Sequence, residues 1–193
     1  MERCSWAGTD PLYHAYHDTE WGRPVTDGRA LFEMLLLEGF QSGLSWITIL
    51  RKRDGFRRVF KGFDPVVLAG WGPSDIDAAL TDPGIVRHRG KVTAVVTNAR
   101  AYLALGGDAA FARLVWGHVG GRPLAHARAS LSDVPGKTPQ SAAIARELKQ
   151  NGFAFCGPTT VYAFMQAAGL VNDHVVTCPC HAEVAALQAG LRS

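Results

Sequence analysis

Apolar residues recur along this chain at the period of an α-helix, and this periodicity limits the fold more than any other property of the sequence. In the segment 28–38, Leu31, Met34, Leu35 and Glu38 fall at positions i, i+3, i+4 and i+7, so they share one helix face. No stretch shows sustained alternation of apolar and polar residues, which is the pattern of a strand. The sequence therefore predicts an all-α fold.

Start and stop signals divide the chain into several predicted helices. Asp27, Ser74 and Asp108 are suitable N-caps. The predicted helices span 28–38, 44–52 or beyond, 75–80, 91–105, a segment beginning near 108, 141–150 and 160–168. The Gly- and Pro-rich segment 120–138 is predicted to be a long connection with a turn at Ser132. The uncharged stretch 151–172 is interrupted by a Gly-Pro step, so we expect a buried hairpin and no membrane span.

Composition narrows the class of protein. The 193 residues, 47% of them hydrophobic and 19% charged, suit one globular domain. The net charge of +3 means that any nucleic-acid footprint must be local. Four cysteines are too few for a disulfide-dense secreted fold, and the first residues do not resemble a signal peptide. We therefore expect a cytoplasmic protein.

Cysteine and histidine residues near the two ends of the chain form a candidate metal site. Cys4 and His17 lie near the N-terminus, and His174 and Cys178 lie in the string DHVVTCPCH near the C-terminus. Two thiolates and two imidazoles suit tetrahedral zinc in a closed, structural site. The alternative is a surface thiol and buried neutral side chains. Three further residues compete as ligands: Cys180, His181 and His14.

Aromatic residues crowd the first quarter of the chain, where Glu38 also stands out. The aromatic residues are Trp6, Tyr13, Tyr16, Trp21 and Trp46. Most of them lie in a segment that is predicted to be a loop, where aromatic side chains can stack on nucleobases. Glu38 continues an apolar face, so its carboxylate needs either a partner or a ligand. The alternatives are core filling by the aromatic residues and a salt bridge from Glu38 to a distant arginine.

Basic residues form two runs, 51–61 and 87–91. The second run contains Arg87, Arg89 and Lys91 and opens a predicted helix, where backbone amides and positive charge can hold a phosphate. A solvated positive face is the alternative for either run.

Several longer motifs resemble the 3-methyladenine DNA glycosylase I family over most of the chain. The motifs are MERCSW, DPLYHAYHDTEWG, LFEMLLLEGFQSGLSWITIL, GIVRHRGKV, NARAYL and FMQAAGLVNDHVVTC. The resemblance implies a helix-hairpin-helix glycosylase domain over 1–181, with two lobes and with its termini joined by structural zinc, followed by a tail over 182–193. It implies release of the base 3-methyladenine from alkylated double-stranded DNA, without a lyase step.

The same resemblance assigns residues to roles. The implied zinc ligands are Cys4, His17, His174 and Cys178. The implied base pocket contains Glu38, Tyr16 and Trp46, with Trp6 and Tyr13 nearby, and the hairpin that grips DNA falls at 153–160 around Gly157. Methylation at N3 makes adenine cationic and a good leaving group, so we expect Glu38 to recognise the base while Trp46 and Tyr16 stack on it.

Two departures from the superfamily pattern concern the hairpin and the catalytic aspartate. The hairpin sequence FCGPTT keeps one glycine, and Asn172 stands where the superfamily has its aspartate. Asp173 is adjacent, but it precedes the proposed ligand His174, so we expect it to orient the metal site.

Two other functions remain alternatives at this point. A zinc hydrolase would need an open metal position, and a zinc-stabilised nucleic-acid binding module would not need a carboxylate in an apolar face. A monomer is the expected oligomeric state.

Overall fold

The computed structural model describes residues 2–191, so Met1 and the last two residues of the predicted tail lie outside the described part. Ten α-helices fall within 2–191: α1 Pro11–Thr19, α2 Gly28–Gln41, α3 Trp46–Val59, α4 Pro65–Ala69, α5 Pro73–Thr81, α6 Arg89–Leu105, α7 Asp108–Gly117, α8 Pro139–Gln150, α9 Pro158–Ala167 and α10 Pro179–Ala189. Within the same residues no strand forms, and two isolated bridges pair Leu124 with Val171 and Arg128 with Val175. The all-α prediction is confirmed.

Local start signals account for several of the helix boundaries. The side chain of Asp27 accepts a hydrogen bond from the backbone N–H of Ala30, as expected of an N-cap. Helices α8 and α9 begin two residues before the predicted starts, because Pro139 and Pro158 occupy the first helical positions, where proline is tolerated. The predicted turn at Ser132 is confirmed by a 3₁₀ turn over Leu131–Asp133.

Helix α2 lies in the core and packs against α3, α6, α7 and α9. Leu31, Phe32 and Leu35 are at most 2% exposed. Gly28 lets α7 approach closely, since a Cβ atom there would lie 2.1 Å from the carbonyl oxygen of Asp108. The surrounding helices thereby fix the position of α2, which carries Glu38.

Helix α1 corrects the prediction that the aromatic segment is a loop. Asp10 accepts a hydrogen bond from the backbone N–H of Leu12, and Pro11 occupies the first helical position. These two residues start a helix whose buried face contains Tyr16 and His17. Two residues predicted to act in different sites therefore occupy the same side of one short helix.

Helix α10 corrects the prediction of a separate tail over 182–193. Val184 is 1% exposed, and the side chain of Gln188 donates hydrogen bonds to the carbonyls of Gly22 and Gly169. These contacts hold α10 against the body of the protein, so the domain continues at least to Ala189.

The uncharged stretch 151–172 forms the turn after α8, helix α9 and the residues that follow it. The predicted hairpin of two pieces within this stretch is wrong, because α9 is its one helix among the described residues and packs against α8, which ends before the stretch begins. Between residues 2 and 191, every helix falls short of the length and hydropathy that crossing a bilayer requires.

Candidate active site and metal cluster

A cavity of about 200 Å³, called here the aromatic cavity, opens between α1, α2, the start of α3 and α9. Five aromatic residues that the sequence analysis singled out all line it: Trp6, Tyr13, Tyr16, Trp21 and Trp46. Polar side chains also reach the cavity, namely those of Glu38, Gln41, Gln166 and Asp173. The fold therefore gathers the predicted base-pocket residues in one place.

Trp6 lies at the centre of the aromatic wall. Its ring centroid is 5.1 Å from that of Tyr13 and 4.8 Å from that of Trp21. Trp46 contacts Tyr16 at a centroid distance of 5.3 Å. The indole N–H groups of Trp6 and Trp46 are buried and have no hydrogen-bond acceptor among residues 2–191. Both are donors that a ligand with acceptor atoms can satisfy.

Glu38 is buried in the wall of this cavity and is 4% exposed. Burial raises the pKa of its carboxyl to about 8, because desolvation disfavours the charged form. Among the described residues none forms a salt bridge or a side-chain hydrogen bond with it, so the alternative of an arginine partner is wrong. The carboxyl is therefore free to bind a ligand, and an incoming cation would favour its ionised form.

Asp173 also borders the cavity, but its carboxylate is already bound. It accepts hydrogen bonds from Tyr162 at 2.5 Å, Gln166 at 2.9 Å, His126 at 2.8 Å and the Nε–H group of Arg128 at 3.2 Å. Burial by itself would raise the pKa of Asp173, but these hydrogen bonds outweigh it and lower the pKa.

The partners of Asp173 correct the expectation that it orients the metal site, because they lie in α9 and in the 126–128 segment. Asn172 supports the candidate ligand His174 instead. Its side-chain oxygen accepts from the backbone N–H of His174 at 3.3 Å, and its amide donates to the carbonyl of His181 at 3.0 Å.

Four buried side chains from the two ends of the chain form a cluster that can bind a metal ion. The ligand atoms of Cys4, His17, His174 and Cys178 all lie within 4.8 Å of one another. The three competing residues lie to the side. His14 and His181 direct ring nitrogens at the carbonyls of Gly8 and His126. Cys180 lies beside the outer nitrogen of His17, at 3.9 Å.

The orientation of the two imidazoles fits a metal ion. The Nε2–H group of His174 donates to the carbonyl of Trp21 at 3.1 Å, so Nδ1 is left bare, 3.7 Å from both sulfurs. His17 donates from Nδ1 to Asp18 at 2.8 Å and turns Nε2 toward Cys178 at 3.6 Å. Burial lowers the pKa of both rings, that of His174 to about 4, so they are neutral as metal ligands must be.

The metal cluster and the aromatic cavity share a wall. Trp6 follows Cys4 by two residues, and its ring centroid lies 5.2 Å from that of His17. The ring of Trp21 lies 4.6 Å from that of His174. Holding the cluster together therefore also holds two indole rings of the cavity in place.

The candidate DNA contacts are exposed except for one. Gly157 is exposed and starts α9 without a side-chain cap. Arg87 and Arg89 are exposed, and Arg89 pairs with Asp77 at 2.7 Å. Lys91 corrects the prediction, because its side chain is buried and its ammonium donates to two backbone carbonyls. It is not available to a phosphate.

The other basic run, 51–61, is largely neutralised by acidic partners. The pairs are Arg51 with Asp10, Arg53 with Glu20, Arg57 with Glu33 and Arg58 with Asp82. The solvated-face alternative fits this run better than a nucleic-acid patch does.

Sequence reasoning missed two polar residues of the cavity. Gln41 follows Glu38 by three positions in α2, so helical spacing was enough to place both on one face. Gln166 carried no comparable signal, because its place in the cavity depends on how α9 packs against α2.

Comparison with known proteins identifies close relatives. A family model described as methyladenine glycosylase matches residues 6–181. DNA-3-methyladenine glycosylase 1 of Escherichia coli K12 is 50% identical over 182 residues, which cover 94% of this chain and 97% of the relative.

Solved structures agree with that similarity. A crystal structure of 3-methyladenine DNA glycosylase I matches with a TM-score of 0.91 and 52% identity, over 93% of this chain and all of the other. The glycosylase I from Staphylococcus aureus, in a structure on 3-methyladenine recognition, matches with a TM-score of 0.87 and 39% identity, over 92% and 95% of the two chains.

Proposed function

This chain belongs to the methyladenine glycosylase family, and we propose that its aromatic cavity receives a flipped-out 3-methyladenine base and that Glu38 recognises it. The reaction is that of a DNA glycosylase, the removal of 3-methyladenine from alkylated DNA in base excision repair. One observation carries the assignment of the cavity: a buried carboxyl, free of protein partners, lies in a wall of aromatic side chains.

Recognition rests on the positive charge of the damaged base. A base in a duplex must leave the stack before an enzyme can hold it, which costs a few kcal/mol. The rings of Trp46 and Tyr16 offer stacking surfaces, and an aromatic face attracts a cationic ring by about 0.5 to 2 kcal/mol. As the cation arrives it stabilises the ionised form of Glu38, which then accepts a hydrogen bond from the exocyclic amine. Normal adenine is neutral and gains none of this charge pairing.

Catalysis then depends mainly on differential binding. Methylation at N3 has already weakened the glycosidic bond, so little acid catalysis is needed. Interactions that grow as the base departs and the sugar becomes cationic lower the barrier, and water attacks the sugar carbon. We propose that the reaction ends with release of the base, without a lyase step.

Asp173 competes with Glu38 for the acidic role. Its two oxygens accept hydrogen bonds from four side chains, so they are poorly placed to activate water. We propose that Asp173 instead holds α9 and the 126–128 segment together beside the cavity.

We propose that the metal cluster binds zinc through Cys4, His17, His174 and Cys178. When bound, zinc supplies a cross-link between the two ends of the chain and no catalytic chemistry, since four protein ligands leave no open position. The zinc-hydrolase alternative is disfavoured for the same reason. The rings of His17 and His174 pack against Trp6 and Trp21 and so hold these two indoles beside the cavity.

We propose that phosphates bind at the start of α9 near Gly157 and at Arg87 and Arg89. Backbone N–H groups at a helix N-terminus and guanidinium groups both favour phosphate. We propose that the enzyme acts as a monomer. Because the substrate is DNA, we propose that the enzyme acts in the cytoplasm.

The test is release of free base from double-stranded DNA that has been treated with a methylating agent. We expect the protein to liberate 3-methyladenine from treated DNA and no base from untreated DNA. Binding of the treated DNA without release would favour the non-enzymatic binding module.

A further inference from the structure

Helix α6 contacts two segments that connect to walls of the aromatic cavity, namely the 42–45 loop before α3 and the turn before α9, and each contact is made by one buried polar side chain. We propose that Lys91 and Asn98 are positioning residues for excision, which fix the 42–45 loop and the hairpin turn at 154–157 relative to each other. The inference rests on the proposed function, because it assigns these residues a part in that reaction.

Lys91 holds the end of α2. It is 8% exposed, and its ammonium donates to the carbonyls of Phe40 at 2.8 Å and Ser42 at 2.6 Å. The last carbonyls of a helix have no partners within the helix, and a cation at this end is favourable. The exposed 42–45 loop begins here and lies between two residues that line the cavity, Gln41 and Trp46.

Asn98 holds the hairpin in a comparable way. It follows Lys91 by seven residues, or about two helical turns, so both side chains leave the same side of α6. Its amide group donates to the carbonyl of Ala154 at 3.1 Å, and its oxygen accepts from the backbone N–H of Ala154 at 2.7 Å. Ala154 precedes α9, whose later residues Ala163 and Gln166 line the cavity.

The next residue, Phe155, has a backbone conformation that its neighbours must hold in place. Its φ angle is +54°, a left-handed conformation that bulky residues rarely adopt and that persists only when neighbours impose it. Phe155 also approaches the end of α2, because a Cβ atom at Gly39 would lie 3.6 Å from its own Cβ atom. Lys91 and Asn98 thus act on the two sides of one contact between α2 and the hairpin.

The 42–45 loop and the 154–157 turn depend on the hydrogen bonds of Lys91 and Asn98 more than the helices that line the cavity do. Helices α2, α3 and α9 bury Phe40, Ile49 and Val161 almost completely in the core. By contrast, all residues of the 42–45 loop are exposed, as are Phe155 and Gly157. Loss of the hydrogen bonds made by Lys91 or Asn98 should therefore disturb the contact of the 42–45 loop and the 154–157 turn with DNA. The aromatic cavity should still bind the free base.

The experiment compares variants that remove these hydrogen bonds with variants that keep them or remove a similar contact elsewhere. Lys91→Met and Asn98→Leu remove the hydrogen bonds and keep most of the side-chain volume. Lys91→Arg keeps the charge and donors. Arg100→Met is the matched control, because Arg100 also lies on α6 and donates to the carbonyls of Ala69 and Trp71, which do not line the cavity.

Two quantities are measured for each variant: the single-turnover rate of excision from methylated DNA, and the Kd for free 3-methyladenine from tryptophan fluorescence. We expect Lys91→Met and Asn98→Leu to slow excision by about tenfold to a hundredfold, as small misplacements do, with the Kd for free base within about twofold of wild type. Lys91→Arg and Arg100→Met should excise at close to the wild-type rate.

Three results would overturn the proposal. They are unchanged excision in both Lys91→Met and Asn98→Leu, equal slowing by Arg100→Met, and parallel loss of excision and free-base binding, which would mark a purely structural role. Failure of the wild-type protein itself to release base would instead contradict the proposed function.

Discussion

The Nδ1 atom of His17 lies 2.8 Å from the Oδ1 atom of Asp18, while the opposite ring nitrogen faces the sulfur of Cys178. Arg3 in turn donates to the carboxylate of Asp18 from Nε, whose single N–H is shared between the two oxygens, and from Nη2, and these hydrogen bonds hold the pKa of Asp18 well below its usual range. A carboxylate in this position fixes the tautomer of a metal-binding histidine and its ring orientation.

The first prediction concerns this carboxylate. Asp18→Asn should lower zinc affinity by about tenfold to a hundredfold, because a neutral amide oxygen replaces the charged acceptor that orients His17 and raises its basicity. Cys178→Ala should abolish tight binding and lower the melting temperature. Competition with a chromogenic chelator measures the affinity. Cys180→Ala is the control and should retain zinc, since Cys180 lies outside the four-residue cluster. Equal zinc affinity in wild type and Cys178→Ala would contradict the site.

The second prediction concerns stability and pH. The pKa of Glu38 in the folded protein is about 8, above its ordinary value of 4.5. The wild type therefore loses stability as the pH rises from 4.5 to about 8, because the unfolded chain ionises this carboxyl more readily than the folded protein does. Glu38→Gln lacks this penalty. The free energy of unfolding of the variant should match that of wild type near pH 4 and exceed it by up to about 5 kcal/mol near pH 9.

Denaturant titrations across that pH range check this prediction. Glu183→Gln serves as the control, because it makes the same change at an exposed carboxyl whose loss should not produce the same divergence. The same pH dependence of the free energy of unfolding in wild type and Glu38→Gln would contradict the desolvation of Glu38.

The third prediction concerns nonspecific DNA binding. Arg89→Ala should weaken binding to undamaged DNA and reduce the slope of log K against log salt by about one, the loss of one phosphate contact. Asp77→Asn should have the opposite effect on affinity, because it releases Arg89 from its ion pair. Fluorescence anisotropy over a range of salt concentrations measures both. An unchanged slope in Arg89→Ala would remove this residue from the DNA interface.

Local signals in the sequence predicted some helix starts and missed others: Ser74 and Asp108 are not N-caps, because α5 and α7 begin at Pro73 and Asp108, directly after Gly72 and Gly107. Asp27 predicted the start of α2, and Ser132 predicted a turn that forms. The interpretation of residues 11–19 as a loop is wrong. It followed their aromatic and polar side chains and overlooked Asp10-Pro11, which is a helix start signal.

Positions that depend on packing were harder to predict. Lys91 belongs to a basic run and was expected on the surface, but the end of α2 covers it and supplies two carbonyls. Asp173 was assigned through its neighbour in sequence, whereas its partners come from α9 and the 126–128 segment. Neither contact could follow from spacing, because each joins elements far apart in the chain.

Single-turnover release of 3-methyladenine by Glu38→Gln and by Asp173→Asn shows which carboxyl serves the reaction. Zinc content and affinity for undamaged DNA are measured on the same samples. We expect Glu38→Gln to keep zinc and DNA binding, to lose affinity for the free base and to excise more slowly. Abolished excision in Asp173→Asn with normal zinc and DNA binding, together with near-wild-type excision in Glu38→Gln, would contradict this expectation.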